Sequence, residues 1–408
     1  MTAPPGTRIY PPPSRLQGRS LAQSLIAALA FVICAAPFAV ACPFCTGVLP
    51  SISQRREEAI VAALGEVTEV DAQRFKFRVH KLLSVAGKQD KAPQGGQPDK
   101  DDVLEIALAS ATGAADIKSG RLALALASRR EKDDAFDWEF TPLDEISYGY
   151  IARAPARRLP PAERLAYYAR YLEHADPLLA EDAYLEFGAA SFDEVAQVAD
   201  KLPMAKIRQW VADPRVPEAR KGFYGLALGL AKSAEDRQAN QAALERWIAT
   251  PADDFRAGFD GALGGYLVLT GRAGLKKIEE LYLTNPKSQP GDVRHALTAL
   301  RFFHEFGRGA IPPTDLNKAL RGLLARPEFA AVATVDLARW NDWGALDRIV
   351  ALYGKAGYPE PATSRAVVGY LLASPQPQAA TALARLRKRD PAGVADAEKQ
   401  STLFGPTR

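Results

Sequence analysis

The feature that most constrains this chain is a change of apolar period across Pro155-Ala156-Arg157-Arg158-Leu159-Pro160-Pro161. Ahead of that stretch apolar residues alternate singly; beyond it they return every three to four residues. A period of two lines one face of a strand, and a period of 3.6 lines one face of a helix. No single element satisfies both. The sequence therefore predicts an α+β multidomain protein, with a small antiparallel β-barrel followed by an all-α array. A length of 408 residues agrees, since one domain usually takes about 100–200.

The β pattern recurs six times. Ile60 to Val67 is a β-rich run, and Phe75, Phe77 and Val79 then alternate with Lys76, Arg78 and His80. Leu104, Ile106 and Leu108 alternate, as do Leu122, Leu124 and Leu126, and as do Phe136, Trp138 and Phe140. Ile146 to Ile151 is read as the closing strand. Strict alternation means one face buried and one wet. The run from Ala86 to Asp102 carries Gly, Lys, Gln, Asp and Pro without apolar period and reads as a long hairpin loop. This set of strands suits an OB-like barrel over residues 42–155. The aromatic residues are read as its core rather than as a stacking platform for nucleotides.

The strands Ala59-Ile60-Val61-Ala62-Ala63-Leu64-Gly65-Glu66-Val67 and Phe75-Lys76-Phe77-Arg78-Val79-His80-Lys81-Leu82-Leu83, behind a cysteine-bearing segment, resemble the netrin/TIMP-like branch of the OB fold. The resemblance covers about a quarter of the chain and departs at the cysteines. The inhibitors of that family open Cys-x-Cys and carry further disulfides, so protease inhibition is not implied here.

Residues 156–160 are expected to be a linker, 161–390 a helical repeat domain and 391–408 a tail without structure. Leu165, Tyr168, Ala169 and Leu172 share a helical face; so do Phe223, Leu226, Ala227 and Leu230, and so do Leu346, Ile349, Val350 and Tyr353. Ser191 with Glu194 is a capping box, and Thr250-Pro251 with Asp253 reads as another helix start. Helix pairs spaced about 35–45 residues apart predict an α-solenoid of HEAT-like pairs, with a compact all-α bundle as the alternative. Gly261, Gly264, Gly265, Gly271 and Gly274 are read as close helix packing and a turn at Gly271-Arg272. Trp340 and Trp343 are expected to pack between helices. Leu179-Ala180-Glu181-Asp182-Ala183-Tyr184-Leu185-Glu186-Phe187-Gly188 resembles the start of a degenerate HEAT unit. The layout as a whole resembles exported bacterial proteins that place a CPFC opening and a small β domain before HEAT-like helices.

The first 41 residues read as a secretory signal. Arg8, Arg15 and Arg19 precede an apolar stretch that is continuous from Leu25 to Val40, and Ala39 and Ala41 present small side chains at a cleavage site. That stretch is shorter than the roughly 20 residues that span a bilayer. The expected location is the periplasm or the exterior, with no membrane span after cleavage. Lipid attachment at Cys42 is the alternative. Beyond the signal, 49 basic side chains face 48 acidic ones, a balance that gives no reason to expect nucleic acid.

Two of the three cysteines follow the cleavage site, in Cys42-Pro43-Phe44-Cys45. A local disulfide is one reading; metal binding by the two thiolates and the α-amine of Cys42, suited to zinc or copper(I), is another. Thr46 stands where haem attachment needs histidine, and a thioredoxin-like motif lacks its preceding strand. His304-Glu305 lacks a second histidine, since Arg308 stands at that place. His174, His295 and His304 have no metal spacing. No nucleophile elbow or phosphate loop occurs. The expected function is a non-enzymatic scaffold, with no cofactor, that binds another exported or envelope protein through the helical surface; a thiol or metal module at Cys42 and Cys45 is the alternative.

Overall fold

A computed structural model describes residues 7–9, 49–83, 98–113, 117–130, 136–250 and 256–403, with side chains at 49–400 of these. Its class is α+β, with seventeen α-helices and one seven-stranded sheet among the described residues. The described chain forms two compact units, one ending at Lys201 and the other beginning at Leu202. The junction expected at 156–160 therefore lies within the first unit.

In the first unit, β2 (Val61–Val70), β3 (Arg74–Leu82) and β4 (Val103–Ala107) form a meander. On the other side of β2 lies β6 (Leu122–Arg129), and beyond it β7 (Phe136–Leu143), both antiparallel to their neighbours. A short 3-10 turn, Leu108–Ser110, leads from β4 into β5 (Ala111–Thr112), which pairs in parallel with β7. Consecutive strands β4 and β5 thus take opposite ends of the row, which curls the sheet toward itself. Thr7–Ile9 (β1) adds in parallel to the outer edge of β4. The rest of the expected signal, and most of the expected loop at 86–102, lie outside the described residues.

The concave core holds Val61, Ala63, Val67, Phe75, Phe77, Val79, Leu104, Ile106, Trp138 and Phe140. Phe140 meets Phe75 and Phe77 edge-on at 4.8 and 5.4 Å. Gly65 lies at a register shift of β2, where a Cβ would come 2.0 Å from the Arg78 carbonyl oxygen. Strand β6 corrects the sequence reading in one respect. Ala123, Ala125 and Ala127 join the concave core, whereas Leu124 and Leu126 are buried on the opposite face. A tightly curled sheet leaves little room inside between aromatic rings, so the small side chains go in. The leucines have an apolar partner on the other side as well, because β6 packs against α1 (Ile52–Glu58) and α2 (Glu145–Arg153).

The second correction is α2 itself, which replaces the strand expected at 146–151. Asp144 caps it: Ser147 N–H donates to the Asp144 carboxylate, and the Ser147 hydroxyl receives the Asp144 N–H. Helices α3 (Pro161–Tyr168), α4 (Pro177–Gly188) and α5 (Phe192–Gln197) complete the unit. The capping box of Ser191 and Glu194 is present as expected.

The second unit is helical, and alternate helices pack on one another. One row contains α7 (Glu218–Gly229), α9 (Phe259–Thr270), α11 (Pro290–Phe306), α13 (Pro327–Arg339), α15 (Ala362–Ala373) and α17 (Pro391–Leu403). Within it α7 packs on α9, α9 on α11, α13 on α15, and α15 on α17. The intervening α6 (Met204–Trp210), α8 (Ala234–Ala249), α10 (Arg272–Ile278), α12 (Pro313–Gly322), α14 (Leu346–Val350) and α16 (Pro377–Arg389) connect it. Arg256 reaches Asp292, Arg301 reaches Asp336 and Arg365 reaches Asp396, rungs that span 36, 35 and 31 residues. These intervals are one helix pair each.

Thr250 is the C-cap of α8, and the helix start expected at Thr250-Pro251 with Asp253 lies outside the described residues. One sequence expectation fails here. Residues 391–403 are helix rather than an unstructured tail, because Val394 and Ala397 are buried as α17 packs on α15 and α16. Its mostly small and polar residues hide that narrow stripe. The glycine reading holds. Gly271 has φ +57° at the turn between α9 and α10, and the glycines of α9 meet those of α7 backbone to backbone.

Candidate interaction surface and buried anchor

Cys42 and Cys45, the predicted site residues, lie outside the described residues. The chain is described again from Leu49, and almost at once it enters a buried polar cluster. Ser51 is the N-cap of α1. Its hydroxyl and that of Ser53 donate to the Glu186 carboxylate on α4, and the Arg164 guanidinium on α3 donates to the other Glu186 oxygen. One turn earlier on α4, Asp182 accepts from the Ile52 N–H at 2.6 Å and from the Tyr150 hydroxyl at 2.7 Å. Ser51, Ser53, Arg164, Asp182 and Glu186 are all buried.

Sequence reasoning passed over these two carboxylates as part of a helical pattern. The available signal was their i, i+4 spacing on a helix otherwise lined by Leu179, Ala183, Tyr184, Leu185 and Phe187. Two acids on one apolar stripe need donors from elsewhere in the fold. Burial pushes the Asp182 carboxyl up to about 6, against the hydrogen bonds from Tyr150 and Ile52 that favour its charged form. Burial also raises the Tyr150 and Tyr168 hydroxyls well above the usual phenol range, with Asp182 and Glu186 adding to the effect. Each carboxylate oxygen is engaged by protein donors, so the cluster anchors chain segments.

The sign of the pH effect follows from the raised value. The folded state binds the Asp182 proton more tightly than the unfolded chain, so this group's contribution is full below about pH 4 and lost as pH rises through about 6. Asp182→Asn should flatten that slope. Denaturant unfolding of both chains from pH 4 to 7 checks it, and equal slopes would contradict the burial of an ionisable group here.

Beside the anchor lies an aromatic cluster. Tyr150, Tyr167 and Tyr171 have ring centroids 4.7–5.6 Å apart, and Arg170 lies over Tyr167 at 4.9 Å. Tyr167 and Tyr171 are half-buried and Arg170 is exposed. His174 accepts the Asp176 N–H through Nδ1 at 3.0 Å, a local turn bond.

In the second unit, Val335 on α13 and Leu372 on α15 are 38% and 43% exposed, unlike the other large apolar residues of that row. They stand on neighbouring helices. Next to Val335, Asp336 is buried and holds Arg301, with Arg339 at 3.8 Å. His304 of α11 stacks on Trp340 with centroids 4.3 Å apart and planes 3° from parallel; burial holds its imidazole below the ordinary value. Trp343 meets Tyr370 edge-on at 5.1 Å, so both tryptophans pack against neighbouring elements as expected. His295 is buried with Nδ1 at 3.9 Å from Asp260. Among the described residues no group of three or more His, Cys, Asp or Glu is placed to hold a metal ion. No described helix is long and apolar enough to cross a membrane.

Comparison with known proteins matches no family model and no curated protein. Among solved structures, human deoxyhypusine hydroxylase in complex with glycerol is similar at 14% identity and a TM-score of 0.26, over 58% of this chain and 83% of that one.

Proposed function

We propose that this protein is an exported, non-enzymatic interaction protein that binds another exported or cell-envelope protein through its helical repeat surface. The observation that carries the reading is the pair Val335 and Leu372. Large apolar side chains left exposed on two helices that pack on each other are the composition of an interface core. In this reading the second unit is an α-solenoid of HEAT-like pairs, supported by the packing of alternate helices and by rungs 31–36 residues apart. The sheet is an OB-like barrel, supported by a meander flanked by β6 and β7 and by the parallel pairing of β5 with β7.

The test uses the full chain. Capture from envelope extract should recover a protein that Val335→Asp with Leu372→Asp no longer recovers, while the thermal transition of the variant stays unchanged. A partner retained by the variant, or captured by residues 42–201 alone, would move the site away from this face. Export is proposed from the signal pattern. The intact mass of the exported chain should begin at Cys42, raised by a diacylglyceryl group if the lipid-anchored form is made; full-length protein in the cytoplasm would refute export.

A further inference from the structure

One element of the first unit is bonded differently in kind from its surroundings. Helix α1 has seven residues, and of these only Ile52, Ser53 and Arg56 are buried. A single apolar side chain is a small hydrophobic hold for an element that lies against β2 and β6. Polar bonds supply the rest. Ser51 and Ser53 donate to Glu186, the Ile52 N–H donates to Asp182, and Arg56 donates to the Pro155 carbonyl at 2.9 Å. Arg157 pairs with Glu57 at 3.3 Å and Arg55 with Glu139. The sheet beneath is held by continuous ladders and by a core of aromatic and aliphatic side chains.

We propose that α1 is a latched strap, held across the outer face of β2 and β6 by the Asp182 and Glu186 carboxylates, which opens as a unit while the sheet, α3 and α4 stay folded. Elements with few buried apolar contacts are those that open below the global unfolding energy. The latch has two points one helical turn apart on α4, so one bond can be lost before the strap is free. Glu186 keeps Arg164 when the strap leaves, so the open form does not strand a lone buried charge at that point. Opening exposes the part of the outer face of β2 and β6 against which α1 lies. Strap opening does not depend on the helical face of the second unit binding a partner.

Native-state hydrogen exchange of the full chain, resolved by peptide, tests it. Amides of residues 52–58 should exchange as one block at least tenfold faster than those of β2, β6 and α4, yet remain protected relative to an unstructured peptide. Ser53→Ala alone removes one bond of the latch and spares the Ser51 cap of α1. Ser51→Ala with Ser53→Ala cuts the Glu186 point of the latch and leaves the Arg164–Glu186 pair whole. It should speed exchange of residues 52–58 about tenfold further, with β2 and α4 unchanged. Exchange of α1 at the rate of β2 would overturn the proposal, as would a double variant that accelerates β2 and α4 together with α1. If the double variant does not fold, the latch is part of the global core and the proposal fails; the order of exchange rates in the unsubstituted chain tests the strap independently of any variant.

Discussion

Replacing Gly265 with alanine should destabilise the second unit by about 1–3 kcal/mol, the cost of forcing one methyl into a closed contact. A Cβ at Gly265 would come 2.0 Å from the Gly225 carbonyl oxygen, and one at Gly225 would come 2.5 Å from the Ala262 nitrogen. Gly229 and Gly261 stand at the same crossing, with Cβ positions 2.6 and 1.9 Å from backbone oxygens of the facing helix. These are backbone atoms, so no rotamer change makes room. The two helices must separate. Alanine is otherwise the better helix former, by about 1 kcal/mol, so the sign tests which effect wins. The expected result is a thermal midpoint roughly 3–10 °C lower. Gly322→Ala is the control. It ends α12 with only a Thr284 methyl at 3.3 Å, and it should change the midpoint little or raise it. Equal effects at both sites would mean that the α7–α9 crossing is looser than its geometry.

The second large effect is expected at Arg164. Arg164→Ala leaves the fully buried Glu186 with two serine hydroxyls and no cation. Removing one partner of a buried ion pair typically costs about 3–5 kcal/mol, because the remaining charge has lost water and gained nothing. Arg164→Met combined with Glu186→Gln removes both charges and keeps an acceptor for Ser51 and Ser53. The double variant should be more stable than Arg164→Ala alone. Hydrogen exchange of the slowest amides in β2 and β6, read across a urea series, reports the stability of the first unit. If the single variant matched the unsubstituted chain, Glu186 would have to find water in the folded state.

Several local features were legible because a local rule decides them. The alternation of Phe75, Phe77 and Val79 made a strand whatever it packed against. Ser191 with Glu194 made a helix start, since a capping box closes its own hydrogen bonds within four residues. Dense glycines in α9 signalled close approach, because few other roles suit glycine inside a helix. Where the pattern was ambiguous, a local bond decided against the reading. Asp144 with Ser147 turned 145–153 into a helix although its apolar residues also fit a strand.

The sequence by itself determined the α+β class, the place where the apolar period changes and most strands. All of these follow from side-chain periodicity along the chain. Tertiary structure alone decided which face of β6 turned inward, because the alternating alanines and leucines are both apolar and only the crowding of Phe75, Phe77 and Phe140 separates them. It also decided that α1 meets α4, whose carboxylates take donors from Ser51, Ile52 and Ser53 more than 100 residues away, and that α3 to α5 belong to the same unit as the sheet. A buried acid is legible in sequence as an anomaly. Its partner is not, since the donor that neutralises it can come from any part of the chain that folding brings within hydrogen-bonding distance.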